Sequence, residues 1–239
     1  MAVARDATLG LYGSRTSTAT QRVLLLNAEK SIGRGIDVQI DVAKQDHLTP
    51  AYLALNPFGT VPTLVTEQRI FTDSLSILEH LNHAYSSHPN LVPSSAPAKA
   101  AMRSWMQQIA ADESVRVLSF QERFVPRFAA MEPEAFAAIV ASHPTRADWY
   151  QEMGQTGFSG AALVRAESAL AQLLQMADSA LQESAWLAGD TISLADLVLL
   201  PSVERAVLLG FKTLVDANNA LVRWRTQMQV RHSYQAVFG

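Results

Sequence analysis

Twelve residues, Ser86-Ser-His-Pro-Asn-Leu-Val-Pro-Ser-Ser-Ala-Pro97, carry three prolines and four serines and divide the chain more sharply than any other stretch. Neither a helix interior nor a paired strand tolerates prolines at that density, so the segment reads as a linker. Strand and helix patterns are mixed before it. After it there is helical periodicity and no convincing strand. A chain organised this way is two domains in series, with the first at 8–85, the linker at 86–97 and the second at 98–239.

In the first domain, Leu9-Gly-Leu-Tyr12 is a short apolar run, and the polar loop Gly13–Thr18 is rich in helix-capping residues. A helix is expected from Thr18 to about Lys30, with Val23, Leu24, Leu25 and Leu26 at its centre and Gly33 and Gly35 beyond its end. Residues 36–42 alternate apolar and polar strictly, the pattern of a half-buried strand. Strand, helix, strand makes a βαβ unit with parallel strands and a right-handed crossover. Ala51–Leu55 reads as one helical turn. Thr63–Thr66 and Arg69–Thr72 flank Glu67-Gln68 as a hairpin, and Ser74–Ala84 carries Leu75, Leu78 and Leu81 at helical spacing. The order βαβ then ββα is that of a thioredoxin-like domain.

The second domain reads as all-helical, with helices at about 98–125, 132–141, 145–155, 160–183, 193–209 and 216–228. Breaks are placed at Pro126, Pro133, Pro144, Gly189 and Gly210. Ser193-Leu-Ala-Asp196, directly before Leu197-Val-Leu-Leu, has the spacing of a capping box, a structural feature.

The absence of cysteine removes disulfides, thiolate metal sites and cysteine-based redox or nucleophilic chemistry together. The six histidines show no metal-ligand spacing beyond His80 and His83 on one helix, and a solvated or capped pair is the simpler reading. A net charge of −3 and a pI near 6.1, with no basic patch, argue against nucleic acid or an anionic membrane as partner. No apolar run approaches a membrane span of ~18 residues, and the N-terminus lacks a signal-peptide core. A cytoplasmic protein is expected. Charged residues are 17% and hydrophobic ones 49%, which fits a helical protein with an apolar cleft or interface.

Residues 56–81 hold the candidate binding chemistry. A cis peptide at Val61-Pro62, between a turn cluster and a strand, would leave the Val61 N–H and C=O open at a strand edge for an extended peptide. The helix starting at Ser74 offers first-turn N–H groups to a carboxylate, and Asp73 offers a negative charge to an ammonium. Together they form a receptor for a small zwitterionic peptide.

Asn56-Pro-Phe-Gly-Thr-Val-Pro62, Asp73-Ser74 and Ser193-Leu-Ala-Asp196 resemble, in order, the cis-proline loop, the acidic-Ser pair and the buried capping box of the cytosolic glutathione transferase superfamily. The resemblance covers essentially the whole chain. Ser17-Thr-Ala-Thr-Gln-Arg-Val-Leu is similar to the phi-class plant enzymes, and Ala101-Met-Arg-Ser-Trp105, Glu134–Ile139, His143-Pro, Trp149 and Gly157-Phe158 look like the helical region of bacterial glutathione-dependent β-etherases. The likeness implies glutathione as cosubstrate, a hydrophobic electrophilic small molecule as second substrate, and a homodimer. It implies that Ser17 stabilises the glutathione thiolate, with Ser14 the second choice. Glutathione binding falls to His47, Thr60, Val61, Pro62, Asp73 and Ser74. The electrophile pocket is assigned by position to Trp105, Met106, Ile109 and Glu113, although Met and Trp at helical spacing are more often core. Trp149 and Phe158 either cover that pocket or pack the insertion, and Tyr12 reads as core. Thiol–disulfide or dehydroascorbate chemistry, which related proteins run from a cysteine near Ser17, finds no cysteine here. The alternative from another class is a non-catalytic protein that binds glutathione or hydrophobic ligands on the same fold.

Overall fold

The computed structural model describes residues 10–86 and 89–239. Leu9 of the first apolar run, residue 8 of the expected domain start, and Ser87 and His88 of the linker lie outside the described residues. The N-terminal domain comprises β1 (Gly10–Gly13), α1 (Thr18–Glu29), β2 (Val38–Gln39), α2 (Pro50–Leu55), β3 (Thr63–Val65), β4 (Ile70–Phe71) and α3 (Ser74–Ala84). Its sheet has the order β2-β1-β3-β4, with β1 parallel to β2 and antiparallel to β3, and β3 antiparallel to β4. This is a thioredoxin-like domain, and all helices of the second domain follow it.

The alternating run 36–42 pairs over Val38–Gln39 alone, shorter than its periodicity predicts. The Asp37 carboxylate accepts from the Leu11 N–H at 2.7 Å at one end, and at the other Asp41 turns the chain by accepting from the N–H groups of Ala43 and Lys44. Asp41, bonding the backbone two and three residues on, takes the chain out of the ladder at that end.

In the helical domain the elements are α4 (Ala96–Ala111), α5 (Ser114–Arg123), α6 (Val125–Ala129), α7 (Pro133–Ser142), α8 (Ala147–Met153), α9 (Gly160–Glu183), α10 (Leu194–Leu208), α11 (Lys212–Asp216), α12 (Asn219–Gln229) and α13 (His232–Phe238). The single helix expected over 98–125 is broken at Asp112-Glu113, where the Asp112 carboxylate accepts from the Ser114 N–H at 3.0 Å. Pro126 and Pro133 fall in the first turns of α6 and α7, so they open helices there, consistent with the missing N–H of proline being harmless at a helix start. The expected helix at 160–183 matches α9. Two short helices, α11 and α13, flank the one expected at 216–228.

The capping box forms. Asp196 is fully buried; its Oδ2 accepts from the Ser193 N–H at 2.8 Å and hydroxyl at 2.9 Å, and its Oδ1 from the Leu187 N–H at 3.1 Å and Trp224 Nε1 at 2.9 Å. One carboxylate thus joins the start of α10 to α12 and to the turn before it.

Helix α1 is central to the packing. Val23, Leu24, Leu25 and Leu26 are all buried, because α3, α10 and α13 pack around the helix and the strand residues Leu11, Leu64 and Phe71 share its core cluster. Four consecutive apolar residues suit a helix enclosed all round rather than an amphipathic one. The main core runs through both domains on this helix, and a second cluster around Val125, Phe128, Tyr150, Met153 and Phe158 packs separately in the α6–α8 region. Among the described residues, no helix is long and apolar enough to cross a membrane.

Candidate functional site

The register of β1 with β3 sets the site. Tyr12 pairs with Thr63, so the loop leaving Gly13 and the residues just before Thr63 lie at the same end of the sheet. Tyr12 itself is buried beside Tyr52, as core, with ring centroids 6.3 Å apart. A Cβ on Gly13 would stand 2.7 Å from Thr20 Cγ2, so glycine permits α1 to start this close to the strand.

The peptide bond Val61-Pro62 is cis. The loop carrying it is tied by Asn56, fully buried, whose Nδ2 donates to the Thr60 carbonyl at 2.8 Å and Thr63 Oγ1 at 3.1 Å while Oδ1 accepts from the Phe58 N–H. Tyr52 adds a hydroxyl bond to the same Thr60 carbonyl at 2.6 Å. Pro62 is buried and Val61 half-buried, and the Val61 N–H and C=O have no partner among the described residues. That leaves an open edge for an extended peptide.

Ser17 is the N-cap of α1. Its Oγ accepts from the Thr20 N–H at 3.3 Å, so the hydroxyl keeps its own proton for a further acceptor, and the side chain is half-buried. Ser14 is 5% exposed and its Oγ lies 3.2 Å from Thr16 Oγ1. Asp73 caps α3 through the Ser76 N–H at 2.9 Å and also accepts from the Ser76 hydroxyl. Ser74 opens α3, and Arg22 Nη1 reaches its Oγ at 3.4 Å.

Arg22 was not among the residues the sequence singled out. It is 8% exposed, its Nε has no partner among the described residues, and burial lowers its pKa to about 10, which still leaves it charged at neutral pH. A buried cation over the start of α3 adds to the helix N-terminus as a place for a carboxylate. The signal available in the sequence was an arginine directly before four buried apolar residues, on a helix with no exposed side.

His47 is buried, at 5% exposed. Its Nε2 faces Arg146 Nη1 at 3.1 Å, and since guanidinium only donates, Nε2 accepts and the proton sits on Nδ1, which has no partner among the described residues. Burial first, then the Arg146 and His143 charges, push its pKa down to about 4. His143 Nε2 lies 3.3 Å from the Leu48 carbonyl, so the α7–α8 segment grips the 46–48 turn at two points.

The expected pocket residues separate. Met106 and Ile109 are buried in the main core and Trp105 packs against it, while Glu113 is exposed and ion-paired with Arg116 at 2.8 Å. A small pocket where the 42–47 segment meets α5, α6 and α8 is lined by Val42, His47, Phe120, Phe124, Phe128 and Tyr150, among others. Beside it Trp149 stacks edge-on with Phe120 at 5.1 Å and Phe158 at 5.2 Å, and the Arg116 guanidinium lies 3.8 Å over the Trp149 ring. Phe158 is buried and belongs to the packing of the insertion.

Comparison with known proteins places this geometry. The family described as "Glutathione S-transferase, N-terminal domain" matches residues 11–89, and "Glutathione S-transferase, C-terminal domain" matches residues 130–231. Glutathione S-transferase PARB of Nicotiana tabacum is 26% identical over 230 residues, covering 94% of each chain. Maleylacetoacetate isomerase of Emericella nidulans is 30% identical over 251 residues, covering 95% of this chain and 96% of that one. The crystal structure of β-etherase LigF from Sphingobium sp. strain SYK-6 has the same fold, with a TM-score of 0.85 at 19% identity, covering 97% of this chain and 99% of that one. With family matches in both domains and relatives aligned along nearly its full length, the chain belongs to the glutathione S-transferase family.

Proposed function

We propose that the protein catalyses attack of the glutathione thiolate on a hydrophobic electrophile. The observation that carries this reading is the convergence on α1: Ser17 at its N-terminus, Arg22 on its flank against Ser74, and the open Val61 edge at the same end of the sheet. Glutathione would lie extended with its cysteinyl backbone on Val61, flanked by Thr60 and Pro62. Its γ-glutamyl carboxylate would meet Ser74 and Arg22, and its ammonium Asp73. The sulfur then faces the start of α1, where the Ser17 hydroxyl and the helix dipole favour the thiolate. Lowering a thiol by about two pKa units from ~8.5 is worth roughly 2.7 kcal/mol and makes the thiolate dominant at neutral pH. Ser14 is the second candidate, although its hydroxyl is more buried and engaged with Thr16. His47 would join these contacts through Nδ1–H only where the 46–48 turn opens, because that atom is closed to solvent.

In the reaction, a sulfur–carbon bond forms as the bond from carbon to the leaving group breaks, and the leaving group departs with the electron pair. The half-buried aromatic rings of Phe120, Phe124 and Trp149 on neighbouring helices support an aryl substrate, and the β-etherase of the same fold supports an aryl ether whose leaving group is an aryloxide. We take the active form to be a homodimer, with Phe58, 65% exposed, available for a second copy to cover.

Ser17→Ala is expected to lower kcat/KM with an activated aryl halide by about 10–100-fold at neutral pH, with glutathione affinity little changed. Steady-state kinetics with each substrate varied measures it. Full activity in that variant would move the role to Ser14 or to a backbone N–H. Folded wild-type protein that binds glutathione and turns over neither an aryl halide nor a β-aryl ether would be a binding protein instead.

A further inference from the structure

The loop that ends in Ser17 is held from the helical domain. Arg205 of α10 donates from Nη2 to the Thr16 carbonyl at 2.5 Å and from Nη1 to the Ser119 hydroxyl of α5 at 3.2 Å. The side chain is 8% exposed. Among the described residues no carboxylate pairs with it: its neighbour Glu204 is bound to Arg225 at 2.7 Å. The charged group that acts on it from α5 is Arg123, another cation. Burial, then Arg123, bring the Arg205 pKa down to about 10, so it remains charged at neutral pH.

The other charged groups on the surrounding elements are engaged or exposed. Arg15 in the loop and Lys99 and Arg103 of α4 are exposed, as is Glu122 of α5. Arg22 of α1 is directed to Ser74, Arg116 of α5 is paired with Glu113, and Lys212 and Asp216 of α11 pair with each other. A guanidinium this buried, bonded only to neutral oxygens, is not compensated for its lost hydration. A bound anion would compensate it.

The Thr16 carbonyl belongs to the same peptide group as the Ser17 N–H, so the guanidinium sits one peptide unit from the N-cap that faces the glutathione sulfur in the reading above. Resting on that reading, we infer that Arg205 is a positioning residue for the transfer reaction. It fixes the Ser14–Ser17 loop through the Thr16 carbonyl, and its charge favours the thiolate of bound glutathione over the thiol.

Two variants separate charge from anchoring. Arg205→Gln, two bonds short of the Thr16 carbonyl, removes both the charge and the anchor, and Arg205→Lys keeps the charge with a shorter reach, so a defect of the first that the second repairs belongs to the charge. Thiolate formation is followed by ultraviolet absorbance of the glutathione complex against pH, beside kcat, KM and thermal melting. Arg205→Gln is expected to raise the thiolate pKa by about one unit and lower kcat/KM about threefold at pH 7, approaching tenfold in acid and with the deficit closing as pH rises past the new value. Arg205→Lys should stay near wild type in thiolate pKa. Arg123→Glu, at an exposed position, offers Arg205 a carboxylate without touching its hydrogen bonds and should move the thiolate pKa upward too, which keeps the test decisive if Arg205→Gln does not fold. Wild-type protein whose bound glutathione titrates like free glutathione overturns the glutathione reading. A lowered wild-type value that the charge-altering variants leave unmoved overturns the role of Arg205 alone.

Discussion

His47 is held neutral in the folded protein first by burial and then by the Arg146 guanidinium beside it. The folded pKa, about 4, lies below the ordinary value of 6.5, so on acidification the unfolded chain takes up a proton that the folded chain refuses. Stability is therefore full above the ordinary value and is lost as pH falls towards the folded one. Between about pH 7 and about pH 5 this single group should remove roughly 1–2 kcal/mol. Urea midpoints measured across that range should fall in the wild type, and His47→Gln, whose amide oxygen can still accept from Arg146, should flatten the dependence. The residues that were legible from sequence act locally. Ser17 caps a N–H three residues on, Asp73 does the same, and Ser193 meets Asp196 at the same spacing. The three arginines that shape the site were not legible because their partners are remote in the chain: 52 residues for Arg22 to Ser74, 99 for Arg146 to His47, and 189 for Arg205 to Thr16. No spacing rule covers such pairs.

Among the elements, α13 shows the same limit. It has 7 residues and little periodicity to read, yet it is anchored on α1 by a bidentate bond from Arg231 to Glu29, at 2.6 and 2.7 Å, and by the Ser233 hydroxyl. Burial alone would raise the Glu29 pKa, but the hydrogen bonds from Arg231 and Ser233 and the Arg231 charge outweigh it and hold the carboxyl below its ordinary range. A lowered carboxylate contributes stability above its unfolded pKa and loses it as pH falls through the folded one. Arg231→Met leaves a carboxylate that is 7% exposed without its cation, and should cost about 3–5 kcal/mol at neutral pH. Denaturant unfolding should show that gap narrowing in acid, where Glu29 is protonated in both proteins. By contrast α9 was legible because 24 residues of sustained amphipathic pattern leave no alternative. The break after α4 was hidden because one aspartate side chain makes it.

At the scale of the whole molecule, α1 belongs to both domains. Its buried residues Leu25 and Leu26 are within the core cluster that also contains Leu197, Val203 and Trp224. At its end the Lys30 ammonium, inaccessible to solvent, donates to the carbonyls of Tyr85 and Pro89 at 2.9 and 3.0 Å, fastening the start of the linker to the helix. The βαβ-ββα order was readable from periodicity, while the shared core was not, since it is made by residues on either side of the linker. A fragment ending at about residue 95 exposes the α1 face that α10 and α13 cover, and large apolar exposures of that kind favour aggregation over folding. It should show no cooperative melting by circular dichroism, whereas the full chain should unfold in one transition. The second cluster, around Phe128, Tyr150 and Met153, stands apart from this core and touches the 46–48 turn through His143 and Arg146. A lineage could exchange this aromatic cluster wholesale and leave the sulfur-activating machinery in place, provided those two side chains are kept. Substrate range is in that sense a replaceable part, open to swapping between relatives by recombination rather than by stepwise redesign.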